Sequence, residues 1–252
     1  MTDFNFLKSL PRNVTQNSRS VVSAERPAFA YFDYELALSL RAAALQAGLD
    51  VPVYLLAPEI NQLLHYLPDL QQQMLFATLW NTGARLNEVL ALTPASLTLS
   101  GQLPFVVLRT LKQRQRKGRP RNDEPVNRVV PLTDPPYIRK MTEFMATFKP
   151  ARNDCIWKVH ENTVRNWLNA AIARAESDGV TFSVCPITPH TFRHSYCMNL
   201  IQHGVPLKVV QAYAGHARLE STELYTKVFA LDIGRQYDVR FSMPDPFLLP
   251  DE

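Results

Sequence analysis

A short segment in the C-terminal half of the chain contains two side chains suited to binding a phosphate group. In TPHTFRH (188–194), Thr188 is a good N-cap and Pro189 suits the first position of a helix. His190 and Arg193 are three residues apart, so they share one face of that helix near the positive end of its dipole. An imidazole and a guanidinium placed there could clamp phosphate oxygens. The structural alternative is a helix-start histidine and a surface arginine that bind no ligand.

A second candidate arginine follows a predicted helix break in TGARLNE (82–88). Gly83 ends one helix, Arg85 begins the next, and Glu88 lies one turn further on. On the surface, Arg85 and Glu88 would form an ion pair that contributes little to stability. In a site, the carboxylate would hold the guanidinium in position for a two-pronged contact with phosphate. The spacing is compatible with both interpretations.

The third segment, AGHARLESTELYTKVF (214–229), offers a nucleophile. His216 follows a predicted helix end at Gly215, and a short loop leads to a helix that carries Tyr225. A phenol attacks phosphorus when its proton is removed and when nearby arginines neutralise the phosphate oxygens. Tyr225 could also be a core aromatic residue, since apolar Leu224 lies beside it.

Positive charge is concentrated in one stretch of the chain. The net charge is +4, yet residues 109–121 contain seven Lys or Arg and no acidic residue, so the other 239 residues carry a net −3. Such a stretch is typical of an element that contacts nucleic-acid phosphates. A solvated basic loop is the alternative.

The elements that must position these residues are mostly helices. Apolar spacing predicts a helix at 33–48, with an apolar face of Leu36, Leu40, Ala43 and Ala44 and an end at Gly48. Further helices are predicted at 59–67, 70–80, about 84–92, 136–148, 161–177, 189–203, 206–214 and 221–229. The β-branched runs at 105–110 and 127–132 predict a hairpin around the basic stretch. The fold class is therefore mainly α with a small antiparallel β-sheet (α+β).

The order and spacing of these segments resemble one known family. TGARLNEVLAL, a basic β-hairpin, TPHTFRHSY and GHARLESTELYTKV follow one another along the chain. The tyrosine recombinases of the phage integrase type carry the pattern T-G-x-R-x-x-E, a hairpin lysine, H-x-x-R, G-H and a following tyrosine. The resemblance covers about residues 56 to 230, and its H-x-x-R…G-H…Y block is highly specific. It implies a tyrosine recombinase catalytic domain.

The resemblance also implies a role for each matching residue. Tyr225 would attack the scissile DNA phosphate, forming a 3′-phosphotyrosyl link and releasing a 5′-hydroxyl. Arg85 and Arg193 would hold the non-bridging oxygens and stabilise the pentavalent transition state. His190 and His216 would hydrogen-bond the phosphate and help to move protons.

The remaining family positions are an acidic residue and a lysine. Glu88 would support the site from behind the groups that touch phosphate. The lysine would protonate the leaving 5′-oxygen; Lys112, the first lysine after the FVVLRT strand, is our choice, and Lys117 is the alternative because the loop is longer than most family hairpins. No metal ion or other cofactor is implied, since arginines neutralise the phosphate and the phosphotyrosyl diester keeps the energy of the broken bond. The sequence contains no Walker loop and no H-E-x-x-H motif.

The implied partner is double-stranded DNA with a specific target site. We expect backbone phosphates to be contacted by the basic stretch, through Arg109, Arg114, Arg116, Lys117, Arg119 and Arg121. Family members act as homo-oligomers, a dimer on each site and a tetramer in synapsis, in some cases with accessory DNA-bending proteins. Their protomers pass a C-terminal segment to a neighbour. PDPFLLP (244–250) has the apolar character for such docking, and a disordered end is the alternative.

Three regions are predicted: an N-terminal arm plus one helix at 1–55, the catalytic domain at 56–240 and the C-terminal tail at 241–252. Family members usually have a larger N-terminal helical domain that completes a clamp around DNA. Region 1–55 is therefore expected to be a reduced clamp or the end of a longer one.

Composition narrows the class of protein further. No window approaches eighteen consecutive apolar residues, and the first residues lack the pattern of a secretory signal. Three widely spaced cysteines fit no disulfide framework, which predicts a cytoplasmic protein, associated with the nucleoid through DNA. An architectural DNA-binding protein without catalysis, or a relaxing topoisomerase, would use the same fold. Plasmid multimer resolution, integration and excision would all require the same residues.

Overall fold

The computed structural model describes residues 34–110 and 127–229. Within those ranges the chain forms ten α-helices, a short 3₁₀ helix (Pro94–Ser96) and a three-stranded antiparallel sheet, and the prediction of an α+β fold is confirmed. The helices are α1 (Tyr34–Gln46), α2 (Ala57–His65), α3 (Leu70–Thr82), α4 (Leu86–Leu90), α5 (Pro135–Phe148), α6 (Glu161–Ser177), α7 (Pro189–Gln202), α8 (Leu207–Ala214), α9 (Glu220–Glu223) and α10 (Thr226–Phe229). The strands are β1 (Leu97–Thr98), β2 (Phe105–Arg109) and β3 (Asn127–Pro131). The N-terminal arm, residues 111–126 with most of the basic stretch, and residues 230–252 with the C-terminal tail lie outside the described residues.

Helix α3 is the centre of the core. It starts at Asp69, whose carboxylate accepts the Gln72 backbone N–H at 2.8 Å, and it packs against α2, α4, α5 and α7. Contacts on several sides explain why its buried residues are not confined to one stripe. The Phe76 ring lies 5.3 Å from that of Phe192 on α7, so the helix that carries the H-x-x-R motif is fixed directly to the core.

The sheet has the order β1-β2-β3 and presents one face to the helices. Val106 pairs with Val130, and Leu108 pairs with Arg128. These four side chains are buried against α4 and α8, whereas Val129 on the opposite face is 55% exposed. The alternation is that of a half-buried sheet, with one exception: a buried arginine occupies a core position.

Helix α1 is held by a buried ion pair. Arg41 donates to both carboxylate oxygens of Glu59, at 2.8 and 2.9 Å, and also to the Ser183 hydroxyl and the Tyr54 carbonyl. The predicted apolar face is therefore partly wrong, because Arg41 is buried and Ala43 is exposed. A guanidinium can replace an apolar residue here since each of its contacts is satisfied.

Three predicted elements differ in detail from the structure. Helix α4 begins after Arg85 and is shorter than predicted, and β1 was not predicted. The last predicted helix, 221–229, is two short helices separated at Leu224 and Tyr225. The break occurs where the Tyr225 N–H bonds to the Thr222 carbonyl, three residues back instead of four, as the chain tightens.

Candidate active site

The α3–α4 junction presents Arg85. Gly83 ends α3 in the left-handed conformation (φ 58°), and a side chain at this position would collide with the ring of Tyr196. Arg85 follows as the N-cap of α4, and its backbone N–H donates to Glu88 Oε2 at 2.8 Å. Its guanidinium donates to Glu88 Oε1 at 3.0 Å while 43% of the side chain stays exposed. Arg85 is therefore held at one end and open to a ligand at the other.

Glu88 is buried between two arginines, only one of which was predicted. Arg128 on β3 donates to Glu88 Oε1 at 3.0 Å and to Oε2 at 2.6 Å. Burial opposes the charge of Glu88, but the bonds from Arg128 and Arg85 lower the pKa of this carboxyl below its ordinary value. Glu88, which was predicted to support Arg85, therefore also binds a second arginine, Arg128.

Arg193 is almost completely buried, with 1% of the residue exposed. Its Nη1 donates to the Gly83 carbonyl at 2.7 Å, and its Nη2 donates to the Ala214 carbonyl. Burial, together with the positive charge of Arg85, lowers the pKa of Arg193 to about 10, so it remains a cation at neutral pH. Arg193 links the ends of α3 and α8, which are the segments that carry Arg85 and His216.

Two histidines lie one turn apart on α7. His190 is exposed, and its ring centroid lies 4.4 Å from that of His194, which is partly buried. Partial desolvation of the ring by its neighbours, followed by the charges of Arg193 and Arg85, lowers the pKa of His190. Burial also lowers the pKa of His194 to about 4, with contributions from His190 and Arg193, so that imidazole is neutral at pH 7.

His216 follows Gly215, which ends α8 in the left-handed conformation (φ 65°). The His216 Nδ1 lies 2.9 Å from the Thr222 hydroxyl, a contact that fixes the orientation of the ring. Burial, together with the charges of Arg193 and Arg85, lowers the pKa of His216 to about 3. This second neutral imidazole lies in the same positive field as His190 and His194.

Tyr225 is buried at the break between α9 and α10, with 1% exposure. Its hydroxyl oxygen lies 2.7 Å from His194 Nδ1, and its ring lies 6.5 Å from that of His216, nearly parallel to it. Cys197 is also near this hydroxyl. Burial raises the pKa of Tyr225 above its ordinary value, and so the phenol is neutral in the free protein.

The structure thus brings together the predicted active-site residues that lie in its described part: Arg85, Glu88, His190, Arg193, His216 and Tyr225. Arg109 is exposed at the end of β2. Lys112, Arg114, Arg116, Lys117, Arg119 and Arg121 lie outside the described residues, so the choice between the two lysines stays a prediction. In the part of the chain that the structure describes, no cluster of three or more His, Cys, Asp or Glu side chains could hold a metal ion.

Sequence reasoning missed two residues of this arrangement, Arg128 and His194. His194 has a signal in the sequence, because it lies one turn after His190 and next to Arg193, so it shares the face of α7 that approaches the site. The sequence signal for Arg128 is weaker: it is a charged residue in an alternating β-strand, at a position where an apolar residue is expected.

The arrangement is suited to binding and activating a phosphodiester. Arg85 and Arg193 provide positive charge, His190 and His216 provide hydrogen-bonding nitrogens, and Tyr225 provides a nucleophilic oxygen. Partial burial strengthens the electrostatic effect of these groups on a bound anion.

Comparisons with known proteins agree with this geometry. Residues 54–231 match the phage integrase family. A resolvase of Escherichia coli is 49% identical over 229 residues, covering 84% of this chain and 87% of the resolvase. A probable site-specific recombinase in the afa region of Escherichia coli is 51% identical over 210 residues, covering 83% of this chain and 84% of that protein.

Solved structures show the same fold. The XerH site-specific recombinase bound to palindromic difH substrate superposes with a TM-score of 0.59 at 19% identity, covering 75% of this chain and 54% of that one. The catalytic domain of bacteriophage HP1 integrase gives a TM-score of 0.50 at 18% identity, covering 74% of this chain and 95% of that domain. The family match and the half-identical relatives each cover most of the chain, and the chain therefore belongs to the phage integrase family of tyrosine recombinases.

Proposed function

We propose that this recombinase cleaves and rejoins DNA at a specific site through a covalent link to Tyr225. The phenol oxygen attacks the scissile phosphorus, the bond to the 5′-oxygen breaks, and a 3′-phosphotyrosyl diester forms. A 5′-hydroxyl from another strand then reverses the reaction, and two such exchanges pass through a Holliday junction. Because one diester replaces another, the cycle requires no nucleotide hydrolysis.

The observation that carries this proposal is the convergence of five motif residues from separate segments. Arg85 comes from the start of α4, His190 and Arg193 from α7, His216 from the end of α8, and Tyr225 from the α9–α10 break. The Arg193 hydrogen bonds to Gly83 and Ala214 tie three of these segments together. If Tyr225 were only a core aromatic residue and Arg85 only part of a surface ion pair, these five side chains would have no reason to lie together.

In this scheme, positive charge stabilises the transition state. Arg85 has its exposed N–H groups available for a non-bridging oxygen, while Glu88 fixes the other side of the fork. Arg193 contributes charge from the interior. Removal of one such donor typically costs a catalytic site about 10²–10³ in rate.

The described geometry is that of a protected nucleophile. Tyr225 is buried and neutral, whereas Arg85 and His190 are exposed. Cleavage therefore requires a movement of α9 and α10 that opens a path for the scissile phosphate to the phenol oxygen. These helices have four residues each, so few backbone hydrogen bonds oppose such a movement.

We assign protonation of the leaving 5′-oxygen to Lys112, with Lys117 as the alternative, and phosphate contacts outside the active site to the basic stretch. A dimer would occupy each target site and a tetramer would join two sites, in some cases with accessory DNA-bending proteins. The similarity to the Escherichia coli resolvase supports resolution of plasmid multimers as the biological use, with integration or excision as the other uses of the same chemistry.

A covalent-adduct assay tests the proposal. A nicked substrate that loses its 5′-hydroxyl fragment after cleavage is incubated with protein in EDTA and without ATP, and adducts are separated on a denaturing gel. We expect an adduct with the wild-type protein and with Tyr213→Phe, the matched control, but none with Tyr225→Phe. Tight binding without an adduct, on DNA from the natural host plasmid, would favour an architectural protein.

Plasmid dimers test the biological role. A dimer with two directly repeated target sites should be converted to monomers in cells that express the wild-type protein. Recombination that is equally efficient between target sites on two separate plasmids would favour integration instead.

A further inference from the structure

We propose that His194 is the proton acceptor for the nucleophile: its Nδ1 takes the proton of the Tyr225 hydroxyl as the phenol oxygen attacks phosphorus. This inference rests on the proposed function and adds to it a catalytic residue outside the family pattern quoted above.

The geometry distinguishes His194 from the other two histidines. Its Nδ1 is 2.7 Å from the Tyr225 hydroxyl oxygen, within the range of a good hydrogen bond. His216 instead uses its Nδ1 for the Thr222 hydroxyl, and its ring centroid is 6.5 Å from that of Tyr225. His190 contacts the ring of His194 and faces solvent. A general base must be within hydrogen-bonding distance of the proton that it removes, and His194 meets this condition.

The surroundings keep His194 in the accepting form. The groups around it are His190 and Arg193 on α7, His216 after α8, and the neutral Tyr225. Burial and the charge of Arg193 lower the pKa of His194, so an unprotonated nitrogen is available at neutral pH. Burial likewise raises the pKa of the Cys197 thiol, which stays protonated and competes poorly for the phenol proton.

The proton balance of the step is complete. As Tyr225 Oη bonds to phosphorus, its proton moves to His194 Nδ1, and the P–O5′ bond breaks. The leaving 5′-oxygen takes a separate proton, which we assign above to Lys112. The phosphate anion between Arg85 and Tyr225 then stabilises the His194 imidazolium. Rejoining runs in reverse, and His194 returns the proton to the phenol oxygen.

Two substitutions separate proton transfer from packing. His194→Phe keeps a ring of similar shape and removes the acceptor, while His194→Gln keeps an acceptor oxygen that cannot hold the proton. We expect both to bind the target DNA as wild type does and to form the adduct about 100-fold more slowly. His65→Phe, at an exposed position on α2, is the control and should react at the wild-type rate.

The pH profile provides a readout that packing alone would not change. The wild-type rate of adduct formation should be flat between pH 6 and pH 8, because His194 is already neutral there. In His194→Phe the proton must leave to solvent, so the rate should rise about tenfold per pH unit.

A more acidic nucleophile provides the decisive comparison. Replacing Tyr225 by a ring-fluorinated tyrosine lowers the phenol pKa, and this replacement should accelerate His194→Phe far more than it accelerates the wild type. A substrate with a 5′-bridging sulfur, whose thiolate leaves without a proton, should not rescue His194→Phe but should rescue Lys112→Ala or Lys117→Ala.

The outcomes are distinct. A His194→Phe rate within twofold of wild type, or an equal effect of fluorination in both backgrounds, would overturn the assignment of His194 while leaving Tyr225 as the nucleophile. Failure of the wild-type protein to form an adduct would instead overturn the proposed function itself.

Discussion

Buried titratable side chains dominate the candidate site at the scale of single residues. His194 and His216 have pKa values of about 4 and 3, because burial and neighbouring positive charge disfavour their protonated forms. Both imidazoles are therefore neutral in the folded protein at a pH at which the same side chains in the unfolded chain take up protons. The site thus couples the stability of the fold to pH.

We expect the free energy of unfolding to fall as pH is lowered from 7 to 5. The unfolded chain gains protons on His194 and His216 below pH 6.5, whereas the folded protein gains them only near pH 4 and below. The loss should be on the order of 3 kcal/mol for the pair. Urea unfolding at pH 7, 6 and 5 measures it.

Matched variants identify the source of this pH dependence. His194→Gln should remove about half of the slope, and His65→Gln, at an exposed position on α2, should leave the slope unchanged. Equal stability of the wild-type protein at pH 7 and pH 5 would contradict the protonation states described for the site.

At the scale of elements, one buried arginine connects three of them. Arg128 on β3 binds Glu88 on α4 and donates from Nε to the Tyr213 carbonyl at the end of α8, at 2.9 Å. It also lies 3.4 Å from the Thr110 hydroxyl, at the residue where the described part of the hairpin ends. Arg128 therefore connects the base of the basic hairpin to the segments that carry Arg85 and His216.

Arg128→Met should destabilise the fold and slow cleavage. The substitution leaves the buried Glu88 carboxylate with Arg85 as its one remaining charged partner, and breaking a buried pair in this way typically costs about 3–5 kcal/mol. Adding Glu88→Gln should recover part of the stability without restoring the rate of adduct formation. The control is Lys158→Met, which removes an exposed ion pair with Asp154 and should leave the stability almost unchanged. If Lys158→Met and Arg128→Met lowered the free energy of unfolding equally, the role of Arg128 would be contradicted.

At the scale of the whole molecule, affinity for DNA should depend on the basic stretch at 109–121. Replacing Arg114, Arg116, Lys117 and Arg119 by Ala removes four positive charges from residues that we assign to phosphate contacts. The slope of log affinity against log salt concentration should flatten by up to about 0.9 per lost phosphate contact. Binding titrations between 50 and 200 mM salt measure the slope, and an unchanged slope would place the phosphate contacts elsewhere.

The C-terminal tail is expected to act between protomers. Deleting residues 242–252 removes Phe247, Leu248 and Leu249. The deletion should lower synapsis and recombination in gel-shift and plasmid assays, while cleavage of a single nicked site continues at the wild-type rate. Loss of single-site cleavage would show instead that the tail is required within its own protomer.

Among the helices that the structure describes, none is long and apolar enough to cross a bilayer.

Residues with a local structural requirement could be predicted from the sequence, and residues with distant partners could not. Gly83 marks a left-handed helix end, and Thr188 with Pro189 marks a helix start, so Arg85, His190 and Arg193 could be placed on their elements. Arg128 and His194 act through partners 40 and 31 residues away in the sequence. Contacts with such distant partners depend on tertiary packing, which cannot be predicted from the periodicity of apolar residues in the sequence.

The break at Tyr225 has a similar cause. Helical spacing continues from 221 to 229, so the sequence predicts one helix there, and the structure instead has two with the buried phenol between them. The buried Arg41 on α1 was missed for the same reason, since its acceptor Glu59 belongs to another helix.

The central claim, that Tyr225 forms the covalent bond to DNA, is tested most directly by mass spectrometry of the trapped adduct. Trypsin cleaves after Arg218 and Lys227, which isolates a peptide, 219–227, whose one tyrosine is Tyr225. After nuclease digestion, we predict that fragment spectra place a nucleotide remnant on Tyr225, joined through its 3′-phosphate. A remnant on Ser221, Thr222 or any other residue, or one joined through a 5′-phosphate, would contradict the account.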